Sequence, residues 1–144
     1  MRADTDVRPP STSRFVAAGL VVVSLLVGVV ACSSDKGGDE NFPEAKTDQA
    51  ARGRELILQG GCAACHNTDG SKTSGPTWKG LAGSTVTLSD GRKVVADTAY
   101  LTKAIVDPKA EGPLGYPKVM PSFAHLSPGD VAAIVAYIEG LPKD

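Results

Sequence analysis

Apolar positions fall into one long run and several short patterned stretches. The run covers residues 15–31 and is broken only by Ser24. Residues 33–46, SSDKGGDENFPEAK, are polar and hold Gly37, Gly38 and Pro43, a composition that reads as a flexible linker. In 48–59 (DQAARGRELILQ), Ala50, Gly53, Leu56 and Ile57 share one face at helical spacing. Gly53 costs a helix stability, so it implies close packing against another element. Gly60 and Gly61 stop that helix. Two β-rich runs, 85–88 and 92–95, flank Asp90 and Gly91 and predict a hairpin. Residues 98–106 predict a short helix with Asp97 or Thr98 as N-cap, an apolar stripe of Tyr100, Leu101, Ala104 and Ile105, and Pro108 just past its end. The last helix, 127–140, starts with Ser127 as cap, Pro128 at the first position and Asp130 in an acidic first turn. Its apolar face includes Val131, Ile134, Tyr137 and Ile138.

Arg2, Arg8 and Arg14 precede the apolar run, and Val29, Val30 and Ala31 close it. A basic leader, an apolar stretch and a small-residue end make a secretion signal. At 17 residues the run is slightly short of the about 20 that span a bilayer. The stretch LVGVVACSS over 26–34 resembles a bacterial lipobox. That resemblance implies a signal peptide over 1–31, lipidation at Cys32, a tether over 32–46 and a folded domain over 47–144. An uncleaved signal anchor with an idle Cys32 is the alternative. Either places the domain in the cell envelope, held to a membrane and facing the periplasm or cell exterior.

The 113 residues after the signal carry 12 basic and 14 acidic side chains. No basic patch argues for nucleic acid. Segment 35–48 is net −3 and segment 72–118 is net +3. The first reads as a solvated linker, the second as a solvated face or a mildly positive docking surface. The few short elements, with six aromatic residues after the signal, leave the domain short of material for a core. A large apolar group is expected to fill its middle.

The chemistry lies in GGCAACHNTDG, residues 60–70. A structural zinc site needs four Cys or His ligands. With Cys32 lipidated, the candidates are Cys62, Cys65, His66 and His125, and their spacing fits no common zinc pattern. A dithiol redox centre belongs near a βαβ pattern, which is missing from this sequence. C-x-x-C-H is the signature of c-type haem attachment. Cysteines three apart lie about one helical turn apart, as two thioether bonds to one ring edge require, and His66 follows to reach iron. Met1 leaves with the signal, so Met120 is the one methionine of the domain. It sits in GYPKVMPSF, stiffened by Pro117 and Pro121. A thioether favours ferrous iron, which makes Met120 the expected second axial ligand, with His125 as fallback.

CAACH, a late methionine, Gly53, SGPTWKGL (74–81) and the Tyr137 helix together resemble the class I c-type cytochromes, monohaem electron carriers. The resemblance covers about 48–141. It implies an all-α cytochrome c fold around one covalent haem, here with a small β-hairpin insertion, and first and last helices that cross at Gly53 near Ile57 and Tyr137. It implies that Cys62 and Cys65 hold the haem, that His66 and Met120 are the axial ligands, and that the Pro76 carbonyl orients His66. Trp78 and Tyr100 become candidates for packing on haem or bonding a propionate. The hairpin region looks like the cytochrome domain of caa-type oxidase subunit II and like monohaem lipoprotein subunits of quinol-oxidising complexes. The implied function is a membrane-anchored respiratory electron carrier, not an enzyme, with a quinol-oxidising complex as donor and a haem-copper oxidase as acceptor. A fixed subunit of such a complex, or the haem subunit of a dehydrogenase, would use the same chemistry. The rival is a haem protein with an open sixth site, a gas sensor or peroxidase. A peroxidase would want distal acid–base groups, and the sequence suggests only His125.

Overall fold

In a computed structural model the chain divides into a unit over Met1–Ser33 and a unit over Ser34–Asp144. The described residues, 41–143, belong to the second unit. The apolar run, Cys32 and residues 32–40 lie outside them. Among the described residues no helix is long and apolar enough to cross a membrane.

Among the described residues three helices and one hairpin follow in chain order: α1 (Asp48–Gln59), β1 (Thr85–Thr87), β2 (Lys93–Val95), α2 (Thr98–Val106) and α3 (Pro128–Gly140), with a 3-10 turn at Cys62–Ala64. Each helix has a side-chain cap: of the two residues expected for α2 it is Asp97, for α3 it is the expected Ser127, and for α1 it is Thr47, for which no cap was expected. The Ala50 N–H donates to Thr47 Oγ1 at 3.1 Å, the Tyr100 N–H to Asp97 Oδ1 at 2.9 Å, and the Asp130 N–H to Ser127 Oγ at 3.1 Å. Such caps satisfy amide donors that the first helical turn leaves open. Between α1 and the 3-10 turn stands Gly61, at φ 73°, in the left-handed region.

α1 packs on α3, and Gly53 sets how closely. A Cβ built on Gly53 would stand 2.0 Å from the Ala133 carbonyl oxygen. Only glycine lets the two backbones meet at that distance. Ile57 and Tyr137 are buried beside this crossing. The core runs from it through Val131, Ile134 and Ile138 to Leu101 and Ile105 of α2.

The hairpin forms where the two β-rich runs predict it. β1 and β2 pair antiparallel with Val86 opposite Val94, and Leu88 and Arg92 close the loop. Ser89, Asp90 and Gly91 form the turn, with Gly91 at φ 86°. This is a three-residue loop whose last residue needs the left-handed region. The marginal hairpin is supported by the chain that follows α2. The Leu114 N–H donates to Thr87 O at 2.8 Å, and Leu88 bridges to Pro113.

The expected tether over 32–46 is described only from residue 41, and there it is not free: Phe42 is only 3% exposed and Ala45 packs against the core. Arg54 Nε donates to Phe42 O at 3.0 Å and Tyr137 Oη to Pro43 O at 2.8 Å. Thr68 Oγ1 donates to Asn41 O. One aromatic ring and three satisfied carbonyls outweigh the polar composition around them.

Candidate functional site

The site begins at the 3-10 turn. Amides of Cys65 and His66 both donate to Cys62 O, at 3.1 and 3.0 Å. That turn brings Cys62, half-buried, and Cys65, exposed, to one cavity as free thiols. Burial pushes the Cys62 thiol pKa up. His66 lines the same cavity, with its Nδ1 2.8 Å from Pro76 O. A carbonyl only accepts, so Nδ1 carries the proton and Nε2 keeps its lone pair. Burial lowers the pKa of His66, against the opposing pull of the Pro76 carbonyl. Both features leave a neutral imidazole able to bind a metal through Nε2.

The loop from 67 to 78 is built to hold that ring. The Trp78 N–H donates to Asn67 O and the Gly75 N–H to Cys65 O, each at 2.8 Å. Thr73 Oγ1 donates to Cys65 O at 2.6 Å. Asn67 is buried and its Nδ2 donates to Ser71. A Cβ on Gly75 would stand 2.6 Å from His66 Cε1, so the imidazole lies where only glycine leaves room. Trp78 is buried and stacked on His66, with ring centroids 5.0 Å apart and planes 18° from parallel.

Met120 lines the same cavity, 54 residues along the chain from His66. Its loop is moored on both sides. Lys118 Nζ donates to Lys109 O at 3.0 Å, Ser122 Oγ to Val106 O at 2.5 Å, and the Phe123 N–H to Ile105 O at 3.1 Å. Two of those three carbonyls belong to the last turn of α2. His125 also lines the cavity, exposed and tilted against Phe123. Half-buried Tyr100 lines it as well, its phenol pKa raised by burial and then by the Glu111 carboxylate. Glu111 accepts from Arg92 of the hairpin turn at 3.1 Å and from Lys103 of α2 at 3.2 Å.

The cavity measures about 740 Å³, within the usual range of ligand sites. Its other walls are largely apolar, from Leu56, Leu81, Leu101, Ile105, Ile134 and Ile138. Among the described residues no three His, Cys, Asp or Glu side chains gather to hold a metal ion.

A family model described as Cytochrome c matches residues 50–142. The chain belongs to the cytochrome c family. Its cofactor is therefore a covalently bound haem c, and it is a haem-based electron-transfer protein. Among curated proteins no match is found. The residues of this cytochrome fit that group: a large apolar cavity, two thiols one turn apart, and an imidazole whose tautomer is fixed by Pro76.

The structure brings Cys62, Cys65, His66, Pro76, Trp78, Tyr100, Met120 and His125 to one cavity. Cys32 lies outside the described residues. Gly75, Asn67, Phe42 and Glu111 were not singled out from the sequence. Gly75 had a signal in the Gly-Pro pair, and Phe42 in being the one aromatic residue of a polar segment.

Proposed function

We propose that this cytochrome is a membrane-anchored carrier of single electrons in a respiratory chain, with a closed iron site. In this reading Cys62 and Cys65 would hold the haem through thioether bonds, and His66 and Met120 would bind its iron. Haem held there supplies a one-electron ferric–ferrous couple. The chain's own residues do the rest. Pro76 O fixes the His66 tautomer, Gly75 and Trp78 fix its ring, and the moored 118–123 loop presents the Met120 thioether. The apolar walls keep water from the site, which sets its potential. The observation that carries the reading is the shared cavity of His66, with Nδ1 bonded to Pro76 O, and Met120.

Lipidation of Cys32 would tether the domain in the cell envelope, facing the periplasm or exterior. Two or more acyl chains suffice for stable anchoring. The donor is a quinol-oxidising complex and the acceptor a haem-copper oxidase. What supports these partners is the resemblance of the hairpin region and the net positive charge over 72–118.

The test is the optical spectrum of the full chain, exported with haem-attachment machinery. The ferric protein is expected to show an iron–sulfur charge-transfer band that Met120→Ala abolishes. The reduced parent is expected not to bind carbon monoxide, while the reduced variant does. A parent without the band that binds carbon monoxide readily would replace the carrier with a sensor or peroxidase.

A further inference from the structure

We propose that residues 41–46 form a strap that positions the proximal imidazole. Phe42 bears on Trp78, and Trp78 bears on His66. The proposal rests on the reading of His66 as an axial ligand.

Three rings stand in series. Phe42 meets Trp78 edge-on, with centroids 5.8 Å apart and planes at 73°. Trp78 stacks on His66 at 5.0 Å and 18°. Edge-to-face and offset-stacked pairs are the arrangements that the ring quadrupole favours. Phe42 is 3% exposed and Trp78 6%, so water does not separate them. Further constraints on the imidazole are backbone: the Pro76 carbonyl at 2.8 Å and the close approach of Gly75. Trp78 is then a side-chain contact through which the ring can be adjusted, and Phe42 supports Trp78.

The strap is held as a structural element would be. Its carbonyls at Asn41, Phe42 and Pro43 take donors from three parts of the domain: Thr68 just after His66, Arg54 of α1 and Tyr137 of α3. Arg54 also pairs with Glu44 at 3.5 Å. A segment that only spans distance needs none of these bonds. Removing the Phe42 ring opens space behind the indole, and the indole can rock into it. The imidazole then loses a fixed neighbour, and water gains a route to the proximal side. Ligand orientation and solvent access both tune the potential of a metal site. Water stabilises the more highly charged ferric state, so the potential falls.

The test uses the full haem-loaded chain with Phe42→Ala, Phe42→Leu and Val131→Ala. Val131 is a buried residue of α3 that does not line the cavity, so it reports loss of stability alone. Each protein is measured for reduction potential, for the paramagnetically shifted proton resonances of His66, and for melting temperature. Phe42→Ala is expected to shift the redox equilibrium toward the oxidised form by about threefold or more, which is about 28 mV at 59 mV per tenfold. It should also move the His66 resonances. Phe42→Leu, which keeps apolar volume, should recover part of both. Val131→Ala should lower the melting temperature and leave both unchanged. If Phe42→Ala does not accumulate, Phe42→Leu and Arg54→Gln carry the test, with a smaller shift in the same direction. Potentials and His66 resonances equal to the parent's, with only the melting temperature lowered, would overturn the strap. A parent that lacks the iron–sulfur band and binds carbon monoxide refutes Met120 ligation instead, and the His66 resonances still judge the strap.

Discussion

Replacing Gly53 by alanine sets two effects of opposite sign against each other. In a bare helix the change stabilises, because alanine is favoured over glycine by about 0.8–1.0 kcal/mol. In this protein the new methyl would stand 2.0 Å from Ala133 O and 2.4 Å from Ala133 C, whereas ordinary contact begins at 3.4 Å. Both opposing atoms are backbone, so no side chain can swing away. The helices must part by about 1.4 Å to restore 3.4 Å. A gap of 0.5–1 Å already forfeits about a quarter to a half of each facing contact. Overpacking of this kind costs about 1–3 kcal/mol and occasionally more. A rigid backbone clash belongs at the upper end or beyond it, so after the propensity gain the net loss is about 2–3 kcal/mol. For a domain of this size that lowers the melting temperature by about 10–20 °C. The assay is denaturant unfolding of the haem-loaded protein, followed by far-ultraviolet circular dichroism, with a thermal melt beside it. A Gly53→Ala protein as stable as the parent, or more stable, would refute the backbone contact between α1 and α3.

Other outcomes follow from the same geometry. Gly75→Ala should push the His66 ring from its seat, since the new Cβ would stand 2.6 Å from Cε1; the check is weakening of the iron–sulfur band, with a stability loss of about 1–3 kcal/mol. Glu111→Gln should loosen the link between hairpin and α2, seen as faster amide exchange around Leu114 and Lys118. The Glu111 carboxyl is held below its ordinary pKa of 4.5, first by the Arg92 guanidinium and then by Lys103. A depressed folded pKa gives stability that is present above the unfolded value and lost as pH falls through the folded one. Parent stability should therefore drop as pH falls below 4.5, and Glu111→Gln should flatten that part of a melting-temperature profile. Ser127→Ala removes the cap of α3 and should cost about 1 kcal/mol, read as a shift in the urea midpoint with an unchanged slope.

The helices were legible because their signals are local. Asp97 and Ser127 each cap a helix that starts one residue later, and Gly53 announced a close approach before its partner was known. The residues of the candidate cavity were legible because CAACH is one contiguous motif and Met120 is the one methionine of the domain. What the sequence hid was long-range. Phe42 meets Trp78 across 36 residues, and Arg92 meets Glu111 across 19. No periodicity encodes such a pairing. Phe42 sits among charged residues, whose composition argues for solvent, while the ring and its carbonyl partners decide otherwise.

The meeting of Gly53 with Ala133 also bears on the order in which the molecule is assembled. The two residues are 80 apart in sequence. α1 and the cysteine turn can form from neighbouring residues, whereas docking of α3 must first close that long loop and meet its entropy. Until α3 arrives, the cavity lacks the wall made by Ile134 and Ile138, and both thiols stand open. Covalent attachment of the haem thus gains its access from timing: the cavity stands open during the interval before the C-terminal helix shuts the fold.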